Sequence, residues 1–153
     1  MIGGGALWRH GWTTQIHRMP EWAVSSEDDA GELPQGRILP RAPQVFSALL
    51  GSATDAGGWL LASPAHALAD ALLSQGNAEP PWLPAADDLD ADAIRGARPL
   101  VIGALRAMGG SERDLPEDLA AVLAMAPERS PGNTTFRGGR PARTRAPRSG
   151  SAR

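Results

Sequence analysis

Residues 63–76 read SPAHALADALLSQG, and a helix with defined ends follows from them. Ser63 is a good N-cap, since its hydroxyl can accept from an orphan amide of the first turn. Pro64 falls at the first helical position, where its missing N–H costs nothing. Ala65, Leu68, Ala69 and Leu72 recur at i, i+3, i+4 and i+7, and Leu73 widens the stripe. Gly76 can take the left-handed conformation that closes a helix. A helix with one apolar face needs a cover.

Upstream, PQVFSALLGSA from Pro43 places Val45, Phe46, Leu49, Leu50 and Ala53 at helical spacing. Gly57-Gly58 breaks it, and Trp59-Leu60-Leu61 is a short apolar lead-in to Ser63. Two antiparallel helices over residues 43–76 are the expected unit, with Leu68 and Leu72 facing Val45, Phe46 or Leu49. Downstream, Pro80-Pro81-Trp82-Leu83-Pro84 cannot be helical. It reads as a stiff connector that docks Trp82 and leaves its prolines at the surface. Asp87 or Asp88 can cap a helix running to Ala97. PLVIGALRAM from Pro99 reads as another helix in preference to a buried strand over its first half, stopped by Gly109-Gly110. Asp114 and Glu117 have capping-box spacing ahead of Leu119, Val122 and Leu123.

Residues 1–42 read as extended and loop-rich. Trp12, Thr14 and Ile16 alternate with polar neighbours, a short strand pattern. Residues 21–36 carry five acids and read as a solvated loop. The expectation is a mainly α fold: an extended N-terminal segment (1–42), a helical domain of about four helices (43–126) and a disordered arginine-rich tail (127–153).

Composition sharpens this. Leu, Ile, Val and Phe number 28 of 153 residues, near the level where disorder sets in. The core is therefore small. There is no Cys, which removes disulfides and thiolate chemistry. Lysine is absent too, so all 15 basic residues are Arg, excluding Schiff-base catalysis and a phosphate-loop lysine. No apolar run of about 18 residues spans a membrane, and MIGGGALWRHGW lacks the form of a signal peptide. A cytoplasmic protein is expected.

No catalytic constellation emerges, and neither a cofactor nor a metal is expected. His66 and Asp70 are i, i+4 on the polar side of the helix and read as a solvent-exposed pair. Asp88, Asp90 and Asp92 open like a calcium loop, but Ala93 stands where the turn wants Gly and Pro99 where a bidentate Glu belongs. Carboxylates at a helix N-terminus account for them better. Ser111 lacks the frame of a nucleophile elbow.

Charge gives the strongest functional signal. Residues 1–126 hold 8 Arg and 16 acids, net −8; residues 127–153 hold 7 Arg and one Glu, net +6. Arg137, Arg140, Arg143, Arg145 and Arg148 sit among Gly, Pro and Ser, suited to neutralising phosphates with little sequence reading. A non-enzymatic accessory or regulatory protein is expected, holding nucleic acid or another polyanion through these arginines. A protein–protein adaptor using the Trp82 connector is the other class.

Between residues 40 and 86, Pro40-Arg-Ala-Pro43, Phe46-Ser-Ala-Leu-Leu50, an Ala/Leu helix and Pro80-Pro81-Trp82-Leu83-Pro84-Ala85 follow in order. This resembles the N-terminal part of CRISPR-associated RNA-processing and backbone fusion proteins of a type I subtype. Ile38-Leu39 stands where those proteins carry Trp-Pro, and their opening strand and later histidine-aromatic motif have no counterpart. The resemblance covers under a third of the chain. It implies an RNA-binding CRISPR component or fragment, and it assigns no active-site residue.

Overall fold

The structure is a computed structural model that describes residues 1–26, 33–77, 80–83 and 85–126. Its centre is α3, Pro64–Leu73. Ser63 caps it, accepting from the His66 amide. The helix is buried on nearly every side: Ala65, Ala67, Leu68, Ala69, Asp70, Ala71 and Leu72 are all inside. The alanines let backbones approach from several directions, so α1, α2 and α5 all pack on it. Leu68 and Leu72 share one core with Leu49 and the partly buried Val45. Phe46 turns to a cleft described below.

Among the described residues there are six α-helices, not about four, and the N-terminal segment is itself helical. The first helix, α1 (Gly3–Arg9), lies against α3. Three glycines open it, and each costs about 1 kcal/mol against alanine. Tertiary contact overrides that penalty. A Cβ on Gly3, whose φ is +61°, would overlap the Glu21 carboxylate, and a Cβ on Gly4 would overlap the Trp82 ring. These glycines are where other parts of the chain touch the helix.

α2 spans Pro43–Gly51. α4 is one turn, Ala91–Ile94, capped by Asp90, so the expected helix from Asp87 or Asp88 to Ala97 is shorter and starts later. Asp88 closes a 3-10 turn ahead of it. α5 (Arg98–Ala107) carries Pro99 in its first turn and buries Val101, Ala104 and Leu105. α6 (Glu117–Ala124) buries Leu119 and Leu123. No side chain caps α6; Asp114 bonds back to the Ser111 amide and hydroxyl, closing a separate 3-10 turn.

Residues 12–17 form no strand beyond a single bridge, Thr13 to Leu89. Strands arise elsewhere. β1 (Glu21–Val24) pairs in parallel with β2 (Arg37–Pro40), Glu21 opposite Arg37 and Val24 opposite Pro40. Thus the expected loop over 21–36 begins as a buried strand, since Trp22 and Val24 fill the interior. β3 (Thr54–Asp55) and β4 (Leu60–Leu61) make a small antiparallel hairpin. Residues 1 and 2 join the two pairs. The Ile2 amide donates to the Glu21 carbonyl, the Ala62 amide donates to the Met1 carbonyl, and the Met1 amine bonds the Leu60 carbonyl. The result is one strip in the order β2, β1, residues 1–2, β4, β3. It lies beside the helices, and none of the helices is long and apolar enough to cross a membrane.

Candidate functional site

Arg137, Arg140, Arg143, Arg145 and Arg148 lie outside the described residues. The eight arginines of the body are inside them, and four meet acids among the described residues. Arg37 meets Glu21 at 2.9 Å, Arg41 meets Asp70 at 2.7 Å, Arg95 meets Asp92 at 3.1 Å and Arg98 meets Glu112 at 2.6 Å. Arg9 instead sits over the Trp59 ring, 4.8 Å from its centroid.

The acids of residues 87–92 work as local caps. Asp90 accepts from the Asp92 and Ala93 amides, and Asp88 accepts from the Ala85 amide and from Gln15 Nε2. Among the described residues no group of three or more His, Asp or Glu side chains could hold a metal. His66 does not meet Asp70. Its Nδ1 lies 2.8 Å from Ser63 Oγ, and burial lowers its pKa, which favours the neutral ring.

Asp70 and Glu21 are both fully buried. Asp70 accepts from Arg41 Nε at 2.7 Å and Nη2 at 2.9 Å, a bidentate pair inside the core. Burial pushes its carboxyl up, opposed by the guanidinium. Glu21 accepts from Arg37 Nη1 at 2.9 Å and from the Trp82 amide at 3.0 Å, with the Gly4 amide adding a further bond. Here too burial pushes the carboxyl up, against those donors and the nearby His17. The Glu21 carboxylate thus ties α1, both strands of the parallel pair and the proline connector together, because Arg37 also donates to the Pro80 carbonyl at 3.2 Å.

The connector is docked, with its residues placed differently from expectation. Pro81 is fully buried. Trp82 is half-buried, edge-on to His17 with ring centroids 4.8 Å apart, over the missing Cβ of Gly4.

A cleft of about 360 Å³ opens between α2 and the strip. Phe46, Leu49 and Leu50 of α2 form one wall; Trp22 and Leu60 come from the strip, and Trp59 from the turn before β4. Trp22 and Trp59 meet nearly at right angles, 87°, with centroids 5.6 Å apart. Leu50 and Leu60 remain 51% and 46% exposed on its rim. Beside it, burial lowers the Met1 amine to about 6. Nothing local in the sequence announces this cleft, because its walls are separated by tens of residues. The one available signal is that Phe46 and Leu50 fall together on α2 at i, i+4.

Compared with protein-family models, with characterised proteins and with solved structures, the chain matches none.

Proposed function

We propose that this chain is a non-catalytic accessory module of the cytoplasm that holds nucleic acid through the arginines of residues 127–153. The observation that carries this reading is the opposition of charge: net −8 over residues 1–126 and net +6 over residues 127–153. An acidic body is repelled by phosphate backbones. Four of its arginines already face its own acids. The segment that follows is left as the electrostatic contact, and it neutralises phosphates by releasing their counterions.

Affinity of the full chain for generic duplex and single-stranded nucleic acid, measured across a salt series, tests this. Log K falls linearly with log salt, by about 0.7–0.9 per phosphate contact. Replacing Arg140, Arg143 and Arg145 together with Ala weakens binding similarly on all sequences and flattens that slope. Salt-independent binding, or binding unchanged in the triple variant, rejects the reading. The resemblance over residues 40–86 favours RNA as the partner. In the same titration that narrower reading requires single-stranded RNA to bind more tightly than DNA of the same sequence.

A further inference from the structure

The cleft between α2 and the strip is independent of the charged segment, and its chemistry is the reverse. We propose that it is a binding site for an uncharged, largely apolar small molecule, a flat two-ring compound being the simplest member of the class.

Three features point to that occupant. The first is size: about 360 Å³ lies at the lower end of the range for small-ligand pockets, about 300–1,000 Å³. The second is charge. Among the described residues no side chain that lines the cleft is ionisable, and burial lowers the amine of the lining Met1 to about 6, leaving it mostly neutral at about pH 7, so an ion entering would lose hydration and gain little counter-charge. The third is shape. Trp22 and Trp59 make a right-angled aromatic corner, and Arg9 over the Trp59 ring helps to fix it. A flat ring can stack on one indole with its edge to the other.

A peptide fits less well. The strand positions beside the cleft are already paired, since residues 1–2 bond to β1 on one side and to residues 60 and 62 on the other. Strand addition therefore has no free edge there. The exposed rim leucines, 51% and 46% accessible, are the surface an apolar ligand would cover.

The test titrates the full chain with naphthalene and, separately, with 2-naphthoate, followed by ligand-observed NMR. Naphthalene is expected to bind, and naphthoate at least about tenfold more weakly, because the same ring then brings a charge into an apolar site. Leu50→Asp is expected to weaken naphthalene by a similar factor. Leu100→Asp, at a still more exposed leucine of α5 away from the cleft, is expected to leave it unchanged. Leu60→Asp reads the same site from the opposite rim should Leu50→Asp fail to fold by circular dichroism. Absence of naphthalene binding to the folded full chain overturns the proposal, as does equal affinity for naphthoate or an equal loss in Leu100→Asp. Self-association that Leu50→Asp abolishes and naphthalene does not displace would assign the face to a second copy of the chain, and overturn it equally.

Discussion

Asp70 and Glu21 are both fully buried carboxylates answered by an arginine, yet they hold the molecule in different ways. Asp70 and Arg41 form a closed pair: two carboxylate oxygens, two guanidinium nitrogens, both side chains out of water. Glu21 is a junction. Its arginine is one-third exposed, and its remaining partners are backbone amides of Gly4 and Trp82. A closed pair concentrates its energy in one side-chain contact. A junction spreads it over several segments that also touch elsewhere, and its backbone donors survive every substitution except proline.

The largest expected effect tests the closed pair. Asp70→Ala leaves the Arg41 guanidinium buried without a counter-charge, and a loss of about 3–5 kcal/mol is expected from urea unfolding. A loss under about 1 kcal/mol would mean that water or another acceptor reaches Arg41, and the contrast with Glu21 would collapse.

The junction is probed next from the helix side. Gly3→Ala places a methyl on the Glu21 carboxylate and holds a non-glycine residue at φ +61°. Overpacking and left-handed strain together are expected to cost about 2–4 kcal/mol. The destabilisation should be much smaller in a Glu21→Ala background, since the colliding atoms are then gone. Simple additivity of the two changes would show that Gly3 matters only for its backbone.

The smallest effect is a slope. Burial raises the folded-state Glu21 carboxyl above its ordinary value of 4.5. The native state therefore holds the proton more tightly than the unfolded chain, so stability falls as pH rises from 4.5 through the folded value. Glu21→Gln does not titrate. Relative to the unsubstituted protein it should gain stability between pH 4 and pH 7, read from denaturant midpoints at the two pH values. Drift in the opposite sense would show that the amide donors and Arg37 outweigh burial.

These two carboxylates also mark where the sequence could be read and where it could not. The start of α3 was legible because Ser63, Pro64 and the apolar spacing act within the helix itself; its end was not, since the helix stops at Leu73 with Ser74 as its C-cap and Gly76, expected to close it, is not left-handed. The burial of α3 on nearly all sides was not legible either, because Ala67 and Ala71 lie off the predicted stripe and look like neutral filler until α1, α2 and α5 are in place. Asp70 read as a solvent partner for His66, since nothing nearby in sequence announces Arg41, 29 residues upstream. The α1 glycines fell in a segment read as extended and loop-rich, the reason for Gly3 and Gly4 lying in Glu21 and Trp82. Glu21 itself read as loop, although Trp22-Ala23-Val24 beside it carried a weak strand signal. The cleft had no local pattern, its walls being drawn from separate segments. Composition made the arginine-rich segment legible without structure, and its five named arginines lie outside the described residues.

The position of residues 1–2 in the middle of the strip also sets an order of events. Ile2 can bond to Glu21 early in synthesis, but the partners of residues 1–2 on the other side are residues 60 and 62, which follow only when some sixty more residues have been added. At about 5–20 residues per second that wait is roughly 3–12 s. The bridge from Thr13 to Leu89 waits longer still. The strip is therefore a late-closing, non-local structure, and the paired helices α2 and α3, whose contacts are nearer in sequence, can meet while one side of residues 1–2 is still unpaired.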